Sequence, residues 1–172
     1  MDVQQNLLKA EHLLQPFTVG AASHAPGRVD AVVQREDLLA AVKALVEARW
    51  GYLSAITGLD HPWPKPAKPA PAAGDAAAAA ATAGPVEDRL EALYQFVSGA
   101  AVATLRVSVP YHDTRLPTIC PVIPSATLYE RELQEMFGFV IEGTPDPGRL
   151  LLPDDWPDGV YPLRKAFRGT SG

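Results

Sequence analysis

Residues 61–85 interrupt the chain with a segment that is unsuited to a hydrophobic core. Proline or alanine occupies 17 of the positions from His61 to Pro85. Proline lacks a backbone donor and pushes its predecessor towards extended conformations, so a flexible insert with a semi-rigid, proline-rich beginning is predicted. A proline-rich ligand for another protein is the less favoured interpretation. The two flanks together are large enough for one core, whereas neither flank alone is. The sequence therefore predicts one domain over residues 1–172.

Before the insert, the spacing of apolar residues predicts two helices and two strands. They are a helix capped by Asp2 and ended by Pro16, a strand over 28–33, a helix from Glu36 to Arg49, and a strand over 52–57 closed by Gly58.

After the insert, strict alternation predicts a β-hairpin. Apolar residues occupy every second position over 89–96 and again over 103–109, and Ser98-Gly99 lies between the two runs. Each strand is therefore expected to bury one face and to expose the other. That pattern is typical of an antiparallel or mixed sheet covered by helices on one side.

A third helix is predicted over 126–137. Ser125 stands where an N-terminal cap is expected, and Gly138 stands where a left-handed C-terminal cap favours glycine. Five prolines between Pro145 and Pro162 make the following segment too poor in donors for a central strand. The predicted fold is α/β (α+β): a mixed, largely antiparallel sheet with helices packed on one face, then an extended, proline-rich tail over 143–168.

Composition excludes several functions. Cys120 is the single cysteine, so the chain by itself cannot build an internal disulfide, a four-thiolate zinc site or a self-ligated iron–sulfur cluster. The net charge of −5 disfavours a nucleic-acid backbone as partner. A start with neither a cationic region nor an apolar block, and apolar runs too short to span a membrane, predict a soluble intracellular protein.

No catalytic constellation can be assembled from the sequence. Phosphate-binding glycine motifs are missing, and the four histidines lack a second ligand at helical spacing. Cys120 lies in an apolar run without a nearby base, which predicts an inert buried thiol. We assign no catalytic, cofactor-binding or metal-ligating residue.

Two charged clusters remain as candidates for function. Glu130 and Glu132 lie about 200° apart around a helix and cannot act as an acid/base pair. The ordinary interpretation is a solvated helix face on which Arg131 and Glu135 pair four residues apart. The second cluster spans residues 150–165, where acids, bases and Trp156 alternate with prolines. Such a rigid segment suits docking to another protein and packing on its own domain about equally.

These residues form a longer ordered pattern. It reads Glu130-Arg131-Glu132, Met136-Phe137-Gly138, Glu142-Gly143, Pro145-Asp146, Arg149-Leu150, Leu152-Pro153-Asp154-Asp155-Trp156 and Pro162-Leu163-Arg164-Lys165. The pattern resembles the thirty-kilodalton subunit family of respiratory complex I, which includes the C subunit of NADH-quinone oxidoreductase. It also resembles the related subunit of membrane-bound group 4 nickel–iron hydrogenases of the formate-hydrogenlyase type.

Three positions depart from the family pattern. Leu128 stands where Trp is usual, Thr144 where members from complex I usually have His, and Ala166 where an acid is common. The run from Pro153 to Lys165 is most similar to the hydrogenase branch. The choice between an NADH dehydrogenase and a hydrogenase therefore stays open.

The resemblance implies a non-catalytic subunit that binds no cofactor and braces a large catalytic subunit during electron transfer to quinone or protons. The implied partners are the large subunit, of the forty-nine-kilodalton type, and a neighbouring iron–sulfur subunit. These partners would hold the iron–sulfur clusters and the nickel–iron or quinone site. Contact with the membrane would be indirect, on its cytoplasmic face. The residues implied to dock are Glu130, Arg131, Glu132, Asp154, Asp155, Trp156, Arg164 and Lys165. Gly138 and Gly143 are implied to serve the backbone, since each follows the end of an element where a positive φ is expected. A freestanding scaffold without a redox partner is the alternative.

Overall fold

A computed structural model describes residues 2–20, 22–62 and 87–169. Apart from its first two residues, the predicted insert lies outside these ranges. The elements are α1 (Val3–Leu14), a 3₁₀ turn (Gln15–Phe17), β1 (Ser23–Ala25), β2 (Arg28–Val32), α2 (Leu38–Glu47), β3 (Tyr52–His61), β4 (Arg89–Ser98), β5 (Ala101–Pro110), β6 (Arg115–Pro117), α3 (Ala126–Phe137) and β7 (Val140–Glu142).

Five strands form the main sheet in the order β1-β2-β5-β4-β3. The β2–β5 pair is parallel and the other three pairs are antiparallel. The short strands β6 and β7 pair in parallel beside it. The predicted mixed, largely antiparallel sheet is therefore confirmed.

Alternation separates the two faces of this sheet, as predicted. On the inner face, Leu90, Tyr94 and Phe96 of β4 and Leu105 of β5 are buried in the same core as the apolar residues of all three helices. Their neighbours along β4 and β5 point to the opposite face, which carries mostly charged and polar side chains. Glu91, Leu93 and Thr104 on that face are nevertheless buried, so the predicted exposure is wrong at these positions. The prediction of helices on one face is confirmed.

The strand predicted to stop at Gly58 instead continues to His61. A Cβ added at Gly58 would lie 2.6 Å from Cδ2 of Phe137, so only glycine lets the end of α3 approach the sheet this closely. Glycine here marks close packing rather than the end of a strand. Because His61 pairs with Arg89 across the β3–β4 ladder, the insert begins after it and not at residue 61 as predicted.

Other boundaries also differ from the predictions. The first helix ends at Leu14, and Pro16 lies within the 3₁₀ turn that follows. Neither Asp2 nor Ser125 makes a side-chain capping hydrogen bond. Ser125 has φ −69° and ψ −11°, a helical conformation rather than the extended one that directs a capping oxygen at the helix.

Candidate docking site

Helix α3 directs the Glu130 side chain into the protein. Glu130 is fully buried, so the prediction of a solvated face is wrong for this residue. Its carboxylate accepts hydrogen bonds from Thr118 Oγ1 and from the Ile119 backbone N–H, both at 2.7 Å. The Cys120 thiol donates to the same carboxylate, with Sγ 3.3 Å from Oε2. Glu130 therefore fixes the loop between β6 and α3.

Cys120 is buried, as predicted, but its surroundings are not purely apolar. Burial raises the pKa of the thiol, and the nearby Glu130 carboxylate adds to the increase. Both effects favour the neutral thiol.

The predicted Arg131–Glu135 pair does not form, because both side chains bind the C-terminal tail. The Glu135 carboxylate accepts from three successive backbone N–H groups, those of Leu150, Leu151 and Leu152. The distances to the Leu151 and Leu152 nitrogens are 2.8 and 3.4 Å.

Arg131 binds the preceding stretch of the tail. Its Nε donates to the Gly148 carbonyl at 2.8 Å, and Nη2 donates to the Arg149 carbonyl. Nη1 lies 2.9 Å from an oxygen of Asp146. Together Arg131 and Glu135 hold residues 146–152 along the helix.

The end of the tail is held where α3 ends. The Arg164 guanidinium carbon lies 4.7 Å from the ring centroids of both Tyr111 and Tyr161, and Nε donates to the Phe137 carbonyl at 2.6 Å. The backbone N–H of Lys165 donates to Asp60 Oδ2 at 2.6 Å. The same Asp60 carboxylate accepts from the Tyr111 hydroxyl.

Gly138 allows the Tyr161 ring to pack closely against the end of α3. It has φ +76°, and its N–H donates to the Gln134 carbonyl. A Cβ at this position would collide with the Tyr161 ring, so glycine is needed for both conformation and space. Gly143, after β7, has φ +79°.

The middle of the tail exposes its charged side chains. Asp154 and Asp155 are exposed and make no hydrogen bond or ion pair with any described residue. Trp156 is half-buried, donates Nε1–H to the Val160 carbonyl at 2.8 Å, and lies 6.1 Å from Phe167 between ring centroids. The structure shows that the tail packs on its own domain, and docking to another protein stays a prediction.

The predicted docking residues thus fall into three groups. Glu130 and Arg131 direct their polar groups at the chain itself, as do Nε of Arg164 and Nε1 of Trp156. By contrast, Asp154, Asp155 and the side chain of Lys165 are exposed, and Glu132 is half-buried. Sequence reasoning missed Asp60 and Tyr111, which lie far from the motif. No local signal indicated them, since their role depends on the path of the tail.

The described ranges contain neither a metal cluster nor a membrane-spanning helix. No group of three or more His, Cys, Asp or Glu side chains in residues 2–20, 22–62 and 87–169 could hold a metal ion. Among the same residues, no helix is long and apolar enough to cross a membrane.

The family is shown by a direct match. The family model described as "Respiratory-chain NADH dehydrogenase, 30 Kd subunit" matches residues 31–172. The chain therefore belongs to that family. The match includes α3 and the whole tail, and begins after α1 and β1.

Curated relatives come from both branches of the resemblance. Over 62 residues, 36% of this chain, it is 48% identical to formate hydrogenlyase subunit 5 of Escherichia coli, covering 11% of that protein. Over 146 residues, 82% of this chain, it is 29% identical to the C subunit of NADH-quinone oxidoreductase from Nocardioides, covering 49% of that protein. The chain thus spans half or less of the length of these relatives.

A solved structure supports the fold. A chain in the structure of the membrane-bound sulfane sulfur reductase, an archaeal respiratory membrane complex, matches with a TM-score of 0.67 and 21% identity. The match covers 97% of this chain and 86% of that one.

Proposed function

We propose that this protein is a non-catalytic peripheral subunit of a complex I-related, membrane-associated oxidoreductase. Its task is to brace the large catalytic subunit while electrons pass to quinone or to protons. Family membership supports the class of complex, and relatives are named both as part of a formate hydrogenlyase and as part of an NADH-quinone oxidoreductase.

The observation that carries the proposal is that the backbone of the tail is held by the chain itself while several of its charged side chains stay exposed. Intrachain hydrogen bonds hold its backbone at residues 148–152 and at Lys165. Between these points, Asp154 and Asp155 are exposed, as is the Lys165 side chain. A segment that is ordered before binding loses little conformational entropy when a partner docks. The tail therefore offers exposed charges of both signs, on a backbone held at both ends, to a complementary surface.

The remaining parts of the proposal are those that the family resemblance suggests. The chain binds no cofactor, while iron–sulfur clusters and a nickel–iron or quinone site belong to the large forty-nine-kilodalton-type subunit and an adjacent iron–sulfur subunit. The protein would reach the cytoplasmic face of the membrane only through these partners. Glu130 and Arg131 would support docking indirectly, because they fix the segments that carry the exposed charges.

Charge reversal on the tail tests the docking role. The full chain is co-expressed with the large-subunit homologue of its own organism, and the amount of large subunit recovered on affinity isolation is measured. Asp155→Lys and Lys165→Glu should each lower recovery at least tenfold, because a stranded charge in a partly desolvated seam costs about 2 to 5 kcal/mol. Glu47→Lys and Lys43→Glu on α2 are matched controls, since both residues are exposed. They should leave recovery unchanged.

Two results would contradict the proposal. One is normal recovery in both tail variants; the other is turnover of a redox substrate by the isolated chain. Nickel-binding cysteine pairs in the recovered large subunit would indicate a hydrogenase, and their absence would indicate a quinone-reducing complex.

A further inference from the structure

Asp60 is a buried carboxylate outside the family motif, at the end of β3. Only 6% of its surface is exposed. It accepts one hydrogen bond from the Tyr111 hydroxyl and another, at 2.6 Å, from the Lys165 backbone N–H. A buried carboxylate is destabilising unless it is hydrogen-bonded, so both donors matter to it. One of the two lies 105 positions away in the sequence.

Asp60 reaches the tail by two routes. The direct route fixes the main chain of Lys165, whose side chain remains exposed. The indirect route passes through Tyr111, whose hydroxyl binds Asp60 while its ring faces the Arg164 guanidinium, with 4.7 Å between Cζ and the ring centroid. Burial raises the pKa of Tyr111, and its bond to Asp60 raises it further, which keeps the hydroxyl protonated as a donor.

Arg164 completes the arrangement from the other side. Its second aromatic neighbour, Tyr161, packs against Gly138 at the end of α3, and its Nε binds the Phe137 carbonyl. The two nearby rings and the hydrogen bond from Nε restrict where the guanidinium can lie. Strand β3, the start of the loop after β5, and α3 therefore all orient one basic dipeptide.

We propose that Asp60 and Tyr111 are positioning residues that present Arg164 and Lys165 to an acidic surface of the large subunit. This inference rests on the proposed docking function and adds two residues that neither the motif nor the family match singles out. Asp60 does not touch the partner. Its effect on binding is transmitted through the tail.

Hydrogen exchange of the full chain tests the intrachain step. In Asp60→Ala, the Lys165 amide should lose at least tenfold of its protection, because its acceptor is gone. Amides of the central strands β4 and β5 should keep their protection. Asp30→Ala is the matched control, since Asp30 is also a largely buried carboxylate of the same sheet but lies on the opposite face. The inference is overturned if Lys165 keeps its protection in Asp60→Ala.

Recovery of the co-expressed large subunit tests the second step. Asp60→Ala should lower recovery about tenfold, and Tyr111→Phe, which keeps the ring and removes the hydroxyl, about threefold. The double variant should do no worse than Asp60→Ala, because one route contains both residues. Additive losses of recovery in the double variant would overturn the indirect route. If Asp60→Ala does not fold, Tyr111→Phe alone still tests the inference.

The two failures can be told apart. If Asp60→Ala releases the Lys165 amide and recovery stays normal, Asp60 anchors the tail without positioning it for a partner, which overturns the inference. If Asp155→Lys and Lys165→Glu both leave recovery normal as well, the docking function itself is wrong.

Discussion

Charged side chains are satisfied in different ways in two regions of this molecule. On the face of the sheet opposite the helices they bind one another: Arg106 lies 2.7 Å from Glu91 and 3.2 Å from Asp30, His61 lies 2.9 Å from Glu91, and Arg28 lies 2.7 Å from Asp30. We call these five residues the charge row. On α3 and the tail, by contrast, Glu130, Glu135 and Arg131 bind main-chain groups.

Contacts between side chains and contacts from side chains to main-chain groups stabilise different parts of the fold. The charge row links side chains that neighbouring strands place on one face, and the backbone ladder would keep those strands together without it. Contacts to main-chain groups instead hold the loop after β6 and the tail, which have no β-ladder hydrogen bonds to keep them in place. We therefore expect greater losses from breaking the second kind.

The largest effect is expected for Glu130→Ala. The substitution leaves the Ile119 N–H and the Thr118 hydroxyl without their buried acceptor, so the free energy of unfolding should fall by about 3 kcal/mol. Urea unfolding measures it. Glu132→Ala, two positions along the same helix and only half-buried, should change it by less than about 0.5 kcal/mol. Equal losses in both variants would contradict the comparison.

A smaller, local effect is expected for Glu135→Ala. Because the carboxylate is half-buried, water can replace it, and the loss should be about 1 to 1.5 kcal/mol. Hydrogen exchange should accelerate at Leu151 while β5 is unaffected. Glu135→Gln retains one acceptor oxygen and should lose less, whereas identical exchange in both variants would argue that the carboxylate does not hold the tail.

Breaking the charge row should cost less still. Arg106→Gln should lower stability at pH 7 by about 1 kcal/mol, because the Arg106 side chain is partly exposed and His61 still binds the buried Glu91. Burial by itself would raise the pKa of Glu91, but hydrogen bonds from Arg106 and His61 outweigh it and lower the pKa below its ordinary 4.5.

The sign of the pH dependence follows from that lowered pKa. Stabilisation by Glu91 is complete above pH 4.5 and is lost as the pH falls through the lower pKa of the folded state. Urea unfolding at a series of pH values from 6 to about 3 should show a steeper decline for the natural chain than for Arg106→Gln. Parallel curves would mean that the row does not lower this pKa.

The smallest effect is expected for deletion of residues 64–84. Composition predicts that this segment contributes nothing to the core, so the melting temperature should change by no more than about 2 °C. Differential scanning calorimetry measures it. A larger drop would show that the segment packs against the domain.

The sheet could be predicted because its information is local. Alternation over 89–96 and 103–109 identified the strands and the buried face without knowledge of any distant contact. The turn lies at Gly99-Ala100, one residue beyond the predicted Ser98-Gly99, because Ser98 pairs with Ala101. The extent of α3 followed in the same way from apolar spacing and Gly138. The strand end predicted at Gly58 is wrong because glycine in a strand indicates either the end of the strand or a close approach by another group. Only the packing of Phe137 decides between the two.

The docking role of the motif residues stays a prediction, and the sequence did not indicate their contacts. The motif identified Glu130, Arg131, Arg164 and Lys165, yet whether a helical glutamate faces the core or the solvent depends on which donors the preceding loop supplies. The partners of the tail depend on where an irregular chain turns, which no periodicity encodes. For that reason Asp60 and Tyr111 emerged only from the folded chain.

The register between β3 and β4 has a practical consequence. His61 and Arg89 are direct partners across the ladder, so the chain leaves and re-enters the sheet at adjacent points. A fluorescent dye attached just beyond Pro62 would be tethered within a few residues of Asp60. The segment between β3 and β4 is therefore a convenient place for a reporter of partner binding to the neighbouring tail.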